Sequence, residues 1–267
     1  MPTDPILTTF ALLKSLVAGP LLVGDLPEAK AFVLRNFRLP NEVRHLNLEQ
    51  KLGHLYEDAL AQLLQASPRF EILAKNLQIQ KDIHTTVGEL DFLIRDLISG
   101  QLIHLELATK FYLAVQTKKG LTLPGPDARD NYFKKLTRLR EHQLQLPTLF
   151  NEHLPETFRN HVIISYPLVY GCLFDHIEAP EIARPEFTNP SCRRGKWLHL
   201  DDLSNHFGSP QEFQIVPKHL WPVPFEYLSN LQLEPWTPTG PIERCLMVKT
   251  PGNNEPLFIA PSGYPNS

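Results

Sequence analysis

The residues of this chain best placed to do chemistry are acids on two strand-like runs. The first run is Val87-Gly88-Glu89-Leu90-Asp91-Phe92-Leu93-Ile94-Arg95-Asp96. After a turn-like Ser99-Gly100-Gln101 comes Ile103-His104-Leu105-Glu106-Leu107-Ala108-Thr109-Lys110-Phe111-Tyr112-Leu113. Both are rich in β-branched, aromatic and leucine residues, the composition of strands. Strand side chains alternate faces, so Glu89 shares a face with Asp91, and Glu106 shares one with Ala108 and Lys110. Paired as an antiparallel hairpin, the runs set Asp91 beside Glu106, on the side away from Phe92 and Leu105. Acids are depleted from strands, so two apposed carboxylates call for a counter-ion. Mg²⁺ (or Mn²⁺) meets the need, because it takes one or two carboxylates, keeps waters and leaves positions for phosphate oxygens.

The flanking sequence predicts what holds these acids in place. Asn47 is a good N-cap for a helix over 48–66, with Gln50 completing a near capping box. Leu48, Leu52, Leu55, Tyr56, Ala59, Leu60 and Leu63 form its apolar stripe, and Glu57 lies on the stripe's border, free to look along a sheet. A first strand is expected over 70–80. After Pro124-Gly125-Pro126, Asp127 is placed to cap a second helix over 128–146, with Tyr132, Leu136, Leu139, Gln143 and Leu146 on one side. The run 160–175 reads as a further strand, with Pro167 marking a kink or an edge. A helical crossover would bring it into the same sheet.

Gly88-Glu89-Leu90-Asp91 and Glu106, in an order of helix, three strands, helix and strand, resemble the PD-(D/E)XK nuclease superfamily. With Lys110-Phe111-Tyr112-Leu113, Gly125-Pro126-Asp127-Ala128-Arg129-Asp130 and His142-Gln143-Leu144, the chain is similar to one bacterial family of unknown function within it. The resemblance implies a restriction-endonuclease-like α/β (α+β) core and hydrolysis of phosphodiester bonds in nucleic acid. It implies Asp91, Glu106 and the Leu107 carbonyl as metal ligands. Glu57 joins the site, and Glu89 is an outer group or a ligand of a second metal. The superfamily's lysine falls two residues after the acid, where this chain has Ala108. Lys110, about 7 Å further along the same strand face, is the expected replacement, its flexible stem reaching back over the Ala108 methyl. The alternative is an inactive nuclease fold that binds nucleic acid or a protein partner.

Charge supports a nucleic-acid surface only locally. The 267 residues carry a net charge of −3, too little excess for a dedicated DNA-coating protein. Between Lys110 and Arg140, however, eight basic residues stand against two acids. Arg129, Lys134, Lys135 and Arg138 are therefore the expected phosphate contacts.

Other classes find no support. There is no Walker loop, no dinucleotide fingerprint and no nucleophile elbow. The eleven histidines and three cysteines show no zinc-ligand spacing. His104 is expected to be a structural histidine beside Glu106. The apolar run 6–23 is broken by Lys14 and Gly19-Pro20, so no membrane span is expected, and Asp4 does not suit a secretion signal. A cytoplasmic protein is expected.

Three segments result: an N-terminal helical arm over 1–47, a core over 48–175, and a proline-rich, β-rich subdomain over 176–267. The arm should hold helices over 5–18 and 28–37. The last segment should hold a hairpin about Pro251-Gly252-Asn253-Asn254, a basic Arg193-Arg194-Gly195-Lys196 cluster, and a core built on Trp197, Trp221 and Trp236.

Overall fold

The structure is a computed structural model and describes residues 4–208 and 212–266. It opens with helix α1, Pro5–Ala18, where the Asp4 carboxylate accepts the Ile6 N–H at 2.8 Å. Leu12, Leu13 and Leu16 are buried. Leu7 and Phe10 lie on its open side. The helix expected over 28–37 does not form. Phe32 and Phe37 run across the sheet instead, in an aromatic cluster with Phe70 and Tyr166.

Helix α2, Leu52–Ala66, begins later than expected. Asn47 does not cap it, because its side chain closes a turn by accepting the Glu49 N–H at 3.1 Å. Leu55, Tyr56, Ala59, Leu60 and Leu63 form the buried face that periodicity indicates.

A meander follows: β1, Phe70–Asp82, β2, Thr85–Asp96, and β3, Leu102–Leu113, successive pairs antiparallel. A small hairpin, β4, Val115–Thr117, and β5, Gly120–Thr122, leads to α3, Tyr132–Glu141. Asp127 does not cap α3, since it folds back on Arg129 at 2.6 Å. The cap is Asn131, which accepts the Phe133 N–H. A 3-10 turn, Gln143–Gln145, ends this region.

Strand β6, Ile163–His176, returns parallel to β3 along its whole length. Gly171 sits opposite Lys110 with φ 153°, where a Cβ would lie 1.7 Å from the Lys110 carbonyl oxygen. Only glycine permits that approach. Pro167 is tolerated because the next strand pairs with β6 only from Cys172 onward, so here β6 is an edge.

The expected boundary at 175/176 is not a boundary of the sheet. Strand β7, Arg193–His199, pairs in parallel with β6. With β8, Phe213–Ile215, β9, Glu234–Trp236, β10, Leu246–Lys249, and β11, Leu257–Ala260, it completes one nine-stranded sheet. Its order is β1-β2-β3-β6-β7-β11-β10-β8-β9. The hairpin about residues 251–254 is present as β10–β11. Trp221 and Phe258 share a core with α1 and α2, so residues 176–267 add to the central core. Leu198, Leu203, Phe213, Val248, Leu257 and Ile259 form a further cluster of this segment's own, with Trp236 packed against it.

The architecture is mixed α/β. Phe92, Ile94, Leu105 and Leu107 pack toward α2. Tyr112 and Ala108 pack on the other side with Tyr132, Leu136 and Leu139 of α3. Among the described residues no helix is long and apolar enough to cross a membrane.

Candidate functional site

The site forms where β2 and β3 part. Their register ends at Phe92 opposite Leu105. One residue beyond, the Asp91 carboxylate takes the place of a strand carbonyl and accepts the Leu107 N–H at 2.8 Å. The N–H and C=O of one strand residue leave on the same edge, so the Leu107 carbonyl also points into this fork. Glu106 is 2% exposed and projects toward α3. Asp91 and Glu106 lie on adjacent antiparallel strands as alternation predicts, and the Glu106 charge reaches Asp91.

Gly88 seats the first strand. It pairs with Ile79 of β1, and a Cβ on it would fall 2.5 Å from a Leu146 methyl carbon. Glycine therefore lets the segment after α3 close onto β2. Glu89 is half-buried and in register with Gln78.

Glu57 comes to the site from α2. It is 9% exposed, its Oε2 accepts from Asn76 Nδ2 at 2.8 Å, and its charge reaches Asp91. Asn76 lies between Lys75 and Leu77, whose partners are Phe92 and Leu90, so it stands across from Asp91. Its φ is 53°, a left-handed conformation that asparagine tolerates better than most residues.

The positive charge comes from α3. Lys135 Nζ lies 3.6 Å from Glu106 Oε1, with its side chain 14% exposed. Gln143 Nε2 donates to the same Oε1, and Lys135 Nζ donates to Gln143 Oε1 at 2.7 Å. Lys110, the expected partner, is committed elsewhere: its ammonium meets Asp130 at 2.7 Å. The relocation is steric and electrostatic. Lys110 pairs with Asp130 in the loop before α3, whereas the crossover helix brings Lys135 to Glu106.

Burial drives the electrostatics. Desolvation raises the Asp91 pKa above the usual carboxylate range, the Glu106 charge raises it further, and the Leu107 N–H partly offsets both. Desolvation also raises Glu106, with the Lys135 ammonium opposing. Lys135 is lowered, chiefly by its own desolvation. His104 is fully buried and held down to about 3 by desolvation, so it is neutral. Its Nδ1 meets Ser165 Oγ at 3.1 Å, and its Nε2 lies 3.9 Å from Glu106 Oε2. Among the described residues neither that nitrogen nor Glu106 Oε2 has a hydrogen-bond partner.

A family model described as "Domain of unknown function (DUF1853)" matches residues 28–260. The chain belongs to the DUF1853 family. No curated protein and no solved structure matches it. The match spans every residue of this cluster, from Glu57 to Ser165.

Within this DUF1853 domain the structure brings Glu57, Asp91, Glu106 and the Leu107 backbone together. It moves Lys135 from the expected phosphate contacts into the cluster. Arg129 is exposed and paired with Asp127. Lys134 and Arg138 lie on the exposed side of α3, where the Arg138 charge still reaches Glu106. The Arg193 and Arg194 cluster is structural: Arg193 donates to the Trp221 and Pro222 carbonyls, and Arg194 pairs with Asp175 at 2.7 Å. Sequence reasoning passed over Gln143, Asn76 and Ser165. Gln143 left a signal, a polar residue within an apolar helical stripe. Asn76 and Ser165 left none.

The donor set suits a hard divalent cation. Two carboxylates and a backbone carbonyl are oxygen ligands, and Glu106 Oε2 is a buried acceptor without a donor. A cation beside it would relieve the repulsion that raises Asp91.

Proposed function

We propose that this protein is a divalent-metal-dependent nuclease of the PD-(D/E)XK type, cleaving phosphodiester bonds of nucleic acid. The observation that carries the reading is Lys135 Nζ at 3.6 Å from Glu106 Oε1. It supplies an ammonium beside two apposed carboxylates, although Ala108 stands where a strand lysine is expected. Asp91, Glu106 and the Leu107 carbonyl would hold Mg²⁺ or Mn²⁺, with Glu57 and Glu89 as outer groups. Bound there, the metal would supply a Lewis acid for the phosphate and a lowered water pKa.

The chain's own groups do the rest. Lys135, with its pKa lowered by burial, is suited to hold or take a proton from an attacking water, or to neutralise charge on the phosphate. Gln143 donates to one oxygen of the Glu106 carboxylate and holds it in place. Lys134 and Arg138 offer an exposed basic strip for the backbone of the nucleic acid.

A second reading is an inactive binding module of the same fold. It draws on Ala108 and on the depth of Glu106, which leaves a substrate little of that carboxylate to reach. The deciding experiment is cleavage of single- and double-stranded DNA and RNA with Mg²⁺ or Mn²⁺, comparing wild type with Asp91→Ala and Lys135→Met. Metal-dependent cleavage lost in both variants supports the nuclease. No cleavage of any substrate by the wild type favours the module.

A further inference from the structure

A second group of ligand-bearing side chains stands at the far ends of β6 and β7. His176 closes β6 and His199 closes β7. The strands run parallel, with His176 in register with Trp197, so both chain ends carry an imidazole to the same end of the sheet. Asp202 follows one short 3-10 turn after His199. One ligand atom from each of the three residues lies within 4.8 Å of the others.

The hydrogen bonding of His199 points to a cation. Its Nε2 lies 3.0 Å from the Tyr264 carbonyl oxygen. A carbonyl only accepts, so Nε2 carries the proton, and in the neutral ring Nδ1 bears the lone pair. That lone pair faces Asp202 Oδ2 at 3.8 Å. Two acceptors at that distance make no hydrogen bond with each other, and a cation between them would serve both. A ring nitrogen tied to a carbonyl is also how metal-binding histidines are oriented. Trp197 meets both rings edge-on, at 4.7 Å for His176 and 5.1 Å for His199, and so limits their rotation. His176 is otherwise held by one long bond, which its Nδ1 accepts from the Glu178 N–H at 3.4 Å.

We propose that His176, His199 and Asp202 bind a divalent transition-metal ion of the zinc class. Two imidazoles and one carboxylate suit zinc, nickel or cobalt better than Mg²⁺. Around tetrahedral zinc, with bonds of 2.0–2.1 Å, donor atoms sit about 3.4 Å apart. The three side chains reach that spacing by side-chain rotation of roughly 1 Å, and Asp202 has the room, with its side chain 48% exposed. Three protein ligands leave a fourth position. Both imidazoles line a cavity of about 470 Å³, walled by Ala114, Val115, Leu121, Pro180 and Ile182. The fourth position therefore suits a small ligand with a donor atom on the metal and an apolar part in the cavity. The site is separate from Asp91 and Glu106 and does not rest on the nuclease reading.

The test is metal titration of the full-length protein after chelator treatment. Co²⁺ should give visible ligand-field absorption, and Zn²⁺ should displace it. His199→Ala and Asp202→Ala should each weaken Zn²⁺ binding by at least about 10-fold. The Asp91→Ala/Glu106→Ala double variant should keep the Co²⁺ spectrum unchanged. Failure of the wild type to take up Co²⁺ or Zn²⁺ at micromolar concentration overturns the proposal. Undiminished binding in His176→Ala/His199→Ala overturns it as well. Should those variants misfold, Co²⁺ added to the wild type should broaden the His176 and His199 imidazole resonances before those of the other histidines. Broadening elsewhere first overturns it.

Discussion

Lys135 and Glu106 approach to 3.6 Å across the gap between α3 and β3. The contact joins a helix to a strand that are separated in sequence by a hairpin and a proline-containing loop. It gives the carboxylate pair a positive neighbour that β3 does not provide. Lys110, on β3 itself, is neutralised by Asp130 at 2.7 Å.

The two lysines should therefore behave differently. Lys135→Met is expected to lower metal-dependent cleavage by about 10²-fold or more, the lower end for a lost acid–base group. The loss should fall on turnover more than on substrate binding. Lys110→Met should leave turnover within a few-fold. The reverse order, measured as kcat and KM on one substrate, would return the role to Lys110.

Metal should stabilise the fold through the same pair. A ligand that binds only the folded state at about 100 times its Kd adds about 2.7 kcal/mol. Mn²⁺ is expected to raise the Tm of the wild type and of His199→Ala, but not that of Asp91→Ala/Glu106→Ala. An equal shift in all three proteins would place the Mn²⁺ site elsewhere.

Gly88 tests how the cluster is seated. A methyl group there would press on Leu146, which is 1% exposed among Ile79, Leu90 and Leu154. Gly88→Ala should cost about 1–3 kcal/mol, the usual range for overpacking. In a Leu146→Ala background that cost should largely vanish, since the two positions share one space. Urea unfolding of the four proteins reads the coupling, and strictly additive costs would refute it.

Much of this site was legible because strands have a short period. Alternation alone put Asp91 and Glu106 on one face, and the turn at Gly100, φ 74°, fixed them as neighbours. Glu57 was reachable from helical geometry. Lys135 was not. On an amphipathic helix it reads as one more surface charge, and only the placement of the crossover sets it beside Glu106. The start of α3 was missed because Asp127 had a closer partner in Arg129. His176 and His199 were missed because zinc spacing rules look for pairs close in sequence, whereas parallel strands bring together residues far apart in the chain. The continuation of the sheet past residue 175 was missed for a related reason. Parallel pairing of β7 with β6 and of β11 with β7 is long-range and leaves no local signal.

Nucleic acid, if it binds, should do so along the outer face of α3. Lys134 and Arg138 are exposed there, and neither is in an ion pair among the described residues, whereas Lys110, Arg129 and Arg140 each are. Lys134→Ala/Arg138→Ala should reduce the slope of log K against log salt by roughly one to two units on duplex DNA. An unchanged slope would exclude this face.

The buried carboxylates also set how stability depends on pH. An acid whose pKa is raised on folding holds its proton in the native state where the unfolded chain has released it. The unfolded state then binds fewer protons, and stability falls as pH rises. For Asp91 and Glu106, both raised chiefly by burial, the fall begins near the ordinary carboxylate range of about 4. It continues until pH passes the raised native values. In a chelator, the Tm should therefore decline from mildly acid toward neutral pH. Asp91→Asn/Glu106→Gln removes both titrations and should flatten the decline. Mg²⁺ should flatten it in the wild type, because a cation between the carboxylates favours their charged forms. Each curve is read as Tm against pH in one buffer series at constant ionic strength. A wild-type Tm that rises with pH across this window would show that the pair is not held protonated by its surroundings, and with that the case for a cation-demanding site would fail.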